Sequence, residues 1–151
     1  MTGNKKESKS VDSSDRLESF GIYQLARKLF YDFWNDSEIL SKDFRGRELV
    51  KQQVRSLDSV CANMEEGFGC GFGKELPQHL KISRGEARES QGRYAQCHHL
   101  LPADLLNQRI ATLDHIIGGL TKTINTIENR RNSLNSGVSS RHSSPVTRHS
   151  P

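Results

Sequence analysis

Between residues 22 and 127, apolar or small side chains recur at spacings that alternate between three and four, in four separate runs. The first is Ile22, Ala26, Leu29 and Phe33, flanked by Tyr23, Phe30 and Trp34. The second is Val50, Val54, Leu57, Cys61 and Met64. The third is Leu76, Leu80, Ser83, Ala87, Ser90, Tyr94, Cys97 and Leu101. The fourth is Leu106, Ile110, Leu113, Ile117, Leu120, Ile124 and Ile127. This spacing keeps returning to one side of an α-helix and forms the seam along which bundled helices pack. No segment sustains the alternation of a strand.

The breaks between runs agree with four helices. Ser41-Lys-Asp-Phe-Arg-Gly supplies cap residues ahead of the second helix. Gly67 reads as the C′ residue that closes it. Pro102 restricts Leu101, which ends the third helix, and suits the opening of the fourth. The linkers are short, so successive helices should be antiparallel neighbours. The expected fold is all-α, an antiparallel up-down-up-down four-helix bundle. The third row is rich in small residues and the fourth in large branched ones, so those two helices are expected to pack closely. Gly85, Gly92, Gly118 and Gly119 fall off the seams. They read as tolerated helix glycines or as places where a second subunit comes near.

Hydrophobic residues make up only 33% of the 151, with a mean hydropathy of −0.70, so the apolar content must be concentrated in these rows. Residues 1–18 carry little beyond Val11 and Leu17, and residues 133–151 are dominated by Ser, Arg and His. Neither stretch can bury enough surface to offset ordering entropy, so both read as disordered, leaving 19–132 as the bundle. There is no apolar run of about 18 residues to span a membrane, and no signal-peptide core at the N-terminus. Cys61, Cys70 and Cys97 are odd in number and lack CxxC spacing, which suits reduced thiols. The expected location is cytoplasmic. Of 22 Lys and Arg, Arg130, Arg131, Arg141 and Arg148 follow residue 129, leaving 18 against all 18 acids. The net charge of +4 is therefore a property of the C-terminal arm.

Constellations that could carry chemistry fail on spacing. The glycine stretch Gly67-Phe-Gly-Cys-Gly-Phe-Gly-Lys74 has Phe68 where a phosphate loop needs its first glycine, and Glu75 where it needs Ser or Thr. It reads as an interhelical turn, with Phe68 and Phe72 covering the end of the bundle. Cys97, His98 and His99 are consecutive, so on a helix they diverge by about 100° each and cannot share one tetrahedral metal. Glu65, Glu66, Glu86 and Glu89 form no Glu-x-x-His pairs. No nucleophile–base arrangement is legible, so no enzyme, metal or cofactor is expected. Asn63 and Glu66 share one face of the second helix, where Arg55, Ser59 or a backbone end could satisfy them. Lys74, Lys81, Arg84 and Arg88 fall on one side of the third helix, joined by Arg93. They make either a phosphate-binding face or a plain solvated one.

The stretch Gln53-Val-Arg-Ser-Leu-Asp-Ser-Val-Cys-Ala-Asn-Met-Glu-Glu-Gly resembles the signature of the bacterial four helix bundle protein family. That family includes proteins encoded in intervening sequences of 23S rRNA genes and the accessory variability determinants of diversity-generating retroelements. Gln53, Val54, Arg55, Ser59, Val60, Asn63, Glu66 and Gly67 match its pattern. The opening of the third helix from Glu75, and Tyr23, Gln24, Ala26 and Leu29 in the first, are also similar. Cys70 stands where the family carries a base, Glu65 where it carries Ala, and Leu76 and His79 where it carries aromatics. The resemblance implies a bundle that assembles into a homopentameric ring. In the retroelement branch, such a ring serves a reverse transcriptase and binds RNA or DNA. The combined expectation is a non-enzymatic, homo-oligomeric accessory protein that binds nucleic acid and a reverse transcriptase. Its contacts would be Lys74, Lys81, Arg84, Arg88, Arg93 and the arginine-bearing tail. The alternatives are a bundle encoded in an rRNA intervening sequence, or a protein-interaction scaffold with no nucleic-acid affinity, which the charge-balanced body suits.

Overall fold

The computed structural model describes residues 13–71 and 73–139. They form five helices: α1 (Ser13–Glu18), α2 (Gly21–Leu40), α3 (Phe44–Gly69), α4 (Glu75–Gln96) and α5 (Ala103–Ser139). The last four make the up-down-up-down bundle, and no strand occurs among the described residues. α3 packs most extensively on α4, α4 next on α5, and α2 closes the bundle against α3 and, more lightly, α5. No described helix is long and apolar enough to cross a membrane.

The rows read from the sequence meet in one core. Leu29, Phe33, Met64, Leu80, Leu113, Leu120 and Ile124 are each 2% exposed or less. Burying such a side chain contributes about 1.5–3 kcal/mol. All eight residues of the third row are buried. The second row is displaced: Val50 and Val54 are only half-buried, while Gln53, Ser56 and Val60 go inward. Polar groups can face inward there because α4 supplies partners. Gln53 Nε2 donates to the Ser90 carbonyl at 3.1 Å, and the Ser56 hydroxyl accepts from Arg93. The small residues of α4 serve the same crossing, where the Ser83 hydroxyl donates to the Val60 carbonyl at 2.7 Å. The small-residue row is therefore also a contact with α3, beyond the expected packing of α5 on α4.

The helix ends bring one correction. α3 does not stop at Gly67 but continues to Gly69 with Cys70 as its cap, and the left-handed residue that ends it is Gly71, at φ 80°. Gly67 is instead buried inside the helix, where α4 crosses over it. A Cβ on Gly67 would lie 2.9 Å from the Cβ of His79 and 3.2 Å from Leu76 Cδ1. Gly67→Ala should therefore lower unfolding free energy by about 1–3 kcal/mol, the usual range for overpacking. Gly85 has nothing within 4 Å of an added Cβ, so Gly85→Ala should be neutral or stabilising by up to about 1 kcal/mol. Urea midpoints of the two variants check both, and equal midpoints would dismiss the crowding at Gly67. Gly92 and Gly118 also face open space, whereas a Cβ on Gly119 would strike the Ile22 side chain of α2 in the same chain.

At the other end, Asp43 caps α3 by accepting from the Arg45 amide at 2.8 Å. The Arg45 side chain clasps the same carboxylate and holds its pKa down to about 2. Pro102 lies in the α4–α5 turn as expected, its carbonyl accepting from the Leu106 amide at 3.0 Å.

Helix extends into both stretches that the sequence suggested would be disordered. Ser13–Glu18 is helical because Leu17 and the following Phe20 pack on the core. α5 continues past residue 132 to Ser139. The Ser133 hydroxyl bonds back to the Asn129 carbonyl, and Arg131 donates to the Gly73 carbonyl in the α3–α4 turn. The expectations for residues 1–12, Phe72 and 140–151 lie outside the described residues.

Candidate functional site

The five bases of the expected nucleic-acid face do not form one surface. Lys81 is turned onto α5, where it pairs with Glu128 at 2.5 Å. Arg84 is half-buried on the same side and donates to the Thr121 hydroxyl at 3.2 Å. Arg93 points the other way, to α3, reaching Ser56 and pairing with Glu89 of its own helix at 3.2 Å. Only Lys74 and Arg88 stand exposed. Helical spacing fixes position around a helix but does not show that α3 and α5 flank both sides of α4.

The family-motif residues mostly hold helices together. Asn63 Nδ2 donates to the Ser59 carbonyl at 2.9 Å and the Ser59 hydroxyl at 3.1 Å, and its Oδ1 lies 3.3 Å from His79 Nδ1 on α4. Glu66 is exposed, with Oε2 3.8 Å from the same His79 nitrogen. Gly67 lets α4 approach, as described above. Arg55 is exposed. Asn63 thus finds its partners in Ser59 and His79, with Arg55 taking no part. Phe68 does cover the end of the bundle, its ring 5.3 Å from that of Phe20. Cys97 is a buried small residue, and His98 and His99 are exposed. Burial pushes the Cys97 thiol up to about 11 and Cys61 to about 12, so both stay protonated and are poor nucleophiles at neutral pH. No group of three or more metal-ligating side chains comes together among the described residues.

Two arrangements were not legible in the sequence. The first is a buried ionic cluster joining three helices. Asp36 of α2 is 1% exposed and accepts from Tyr94 of α4 at 2.8 Å. It also accepts from Arg109 of α5 through Nε at 2.8 Å and Nη2 at 3.0 Å, and Arg109 reaches Asp32 at 3.3 Å. Burial, and then the Asp36 carboxylate, push the Tyr94 phenol well above its ordinary range. A lone acid in a helix gives no sign that an arginine far along the chain will cover it.

The second is the outer side of α2. Tyr31 and Trp34 are 58% and 55% exposed, and both rings lie edge-on to Phe30, with centroids 6.4 and 6.0 Å away. Beside them, between α2 and α3, runs a cleft of about 290 Å³. Tyr23, Phe30 and Tyr31 form its α2 wall, and Asp58, Cys61 and Glu65 its α3 wall. Tyr23 donates to Glu65 at 2.7 Å, and burial, then that carboxylate, raise its phenol to about 12. Arg27 lies over the Tyr23 ring and 3.7 Å from Glu18. The flanking Trp34 was visible in the sequence as an edge residue of the first row, but its exposure was not.

Fold and site together define a helical bundle whose polar motif residues are spent largely on helix contacts and whose free surface is aromatic on α2. Over residues 18–124, the chain matches the model of the 23S rRNA-intervening sequence protein family. It belongs to that family. No curated protein and no solved structure matches it.

Proposed function

We propose that this chain is a non-catalytic accessory protein that works by binding other macromolecules, and that its copies associate through the aromatic strip of α2. The observation that carries this reading is the contiguous set Phe30, Tyr31 and Trp34, with the last two more than half exposed. Single exposed apolar residues are ordinary, but clustered aromatics are what interfaces use. The ring of five copies implied by the family resemblance would give this strip its cover. Light scattering on the full chain should return a multiple of 17.0 kDa, and Tyr31→Ser/Trp34→Ser should reduce it to a single chain. A parent protein already at 17.0 kDa would sink the reading.

The nucleic-acid role is a second reading, supported by the acid-free arm with Arg130, Arg131, Arg141 and Arg148. A reverse transcriptase as the protein partner rests on the resemblance to the retroelement branch. Because Lys81 and Arg84 are engaged with α5, Lys81→Ala/Arg84→Ala should leave single-stranded RNA affinity within about twofold. Arg141→Ala/Arg148→Ala should weaken it about threefold or more at low salt, as loss of phosphate contacts does. Gel-shift titration reads both, and absence of any shift at low salt would favour the scaffold.

A further inference from the structure

We infer that the cleft between α2 and α3 is a docking groove for this chain's own arginine-bearing C-terminal segment, residues 140–151. The groove has the chemistry of a guanidinium site. Phe30 and Tyr31 line it beside Tyr23, over whose ring Arg27 already lies, and Asp58 and Glu65 stand two helical turns apart along the α3 wall. Arginine suits such a site because its planar cation both stacks on aromatic rings and forks to a carboxylate. Asp58 has no hydrogen-bond or ion-pair partner among the described residues, and Glu65 uses one oxygen on Tyr23. The groove's own cation, Arg27, is matched by Glu18, so Asp58 and Glu65 leave it with a net negative charge. Burial drives the Cys61 thiol upward, and the same two carboxylates add to the rise, as a locally negative site requires.

The segment complements this groove in charge and lies within reach. It carries Arg141, Arg148, His142 and His149 and no acid. α5 leaves the bundle at the end where the groove opens: Arg131 meets Gly73 in the α3–α4 turn, and Phe68 meets Phe20 just ahead of α2. Eight further helical residues carry Ser139 about 12 Å beyond that level. Glu65 lies about 8 Å below it, five residues before the α3 cap. With helix axes about 10 Å apart, the path from Ser139 to Glu65 is roughly 25 Å. Arg148 is nine residues past Ser139, and nine extended residues span roughly 30 Å. A tether this short gives an effective concentration on the order of millimolar, which populates even a weak contact. A filled groove would hold Arg148 away from phosphate, while Arg141, two residues past Ser139, stays beside the end of α5.

Trp34 is the chain's single tryptophan and stands beside the groove. In the full chain carrying Cys70→Ser and Ser150→Cys, a dansyl group on residue 150 reports its distance from Trp34 by energy transfer. Cys61 and Cys97 are buried, so the label goes to the introduced thiol. At low salt we expect strong transfer that is unchanged on dilution. It should fall by about half or more in Asp58→Asn/Glu65→Gln and in Arg141→Ala/Arg148→Ala, as effective-concentration binding loses its contacts. The second pair lies outside the bundle, so it tests the contact without touching the core. Transfer that is the same in both variants as in the parent overturns the inference. Transfer that is lost when the labelled chain is refolded with a large excess of unlabelled Trp34→Phe chain places the segment on a second copy and overturns it as well.

Discussion

Asp36→Ala is expected to lower unfolding free energy by about 3–5 kcal/mol, seen as a lower urea midpoint with little change in slope. The carboxylate is 1% exposed and accepts three hydrogen bonds, one from Tyr94 and two from Arg109. Arg109 is itself largely buried, and a guanidinium is not deprotonated in proteins, so it stays charged when its partner is removed. Asp32 at 3.3 Å then remains as partial compensation. The loss comes mainly from stranding a buried guanidinium and a buried phenol, more than from the pair's net contribution. Replacing both charges by apolar groups, as in Asp36→Leu/Arg109→Met, should therefore recover much of the stability. A single-variant loss under about 1 kcal/mol would mean that the cluster is hydrated and not a buried pair.

Gly46→Ala should be the next most damaging change, at about 3 kcal/mol, the upper part of the range for overpacking. Gly46 sits in the first turn of α3, directly under the end of α2. An added Cβ would fall inside the contact distance of the Leu40 carbonyl oxygen and also press on its carbonyl carbon and Cα. Those are backbone atoms and cannot rotate away, so relief requires the α2–α3 corner to open. Opening it would disturb the Asp43 cap beside it and the buried Leu40. Gly118→Ala, in open space, is the matched control. Thermal unfolding of both variants decides the matter. A Gly46→Ala protein as stable as its control would show that the corner yields at little cost.

The fold was largely readable because its rows repeat over many turns. Eight of eight third-row residues are buried, and such repetition leaves little room for another arrangement. The sequence failed where position around a helix was known but neighbours were not. Gln53 and Ser56 stand outside the second apolar row, yet face inward because α4 presents the Ser90 carbonyl and Arg93 to them. Lys81 and Arg84 looked like a binding face until α5 presented Glu128 and Thr121. Gly67 looked like a helix stop because glycine commonly ends helices, yet its role is to let His79 come close. The Asp36 cluster and the α2–α3 cleft depend on pairs 42 to 77 residues apart, which no local spacing encodes.

The packing around the four bundle helices is unequal. α4 packs closely on both α3 and α5, while α2 has the fewest neighbours of the four. Much of its polar attachment converges on the single carboxylate of Asp36. Local opening is cheapest where contacts are sparsest, so α2 is the leaf of the bundle that swings first. The aromatic strip proposed above as the contact between copies rides on that leaf, which would make recognition and partial unfolding neighbouring events on one energy scale.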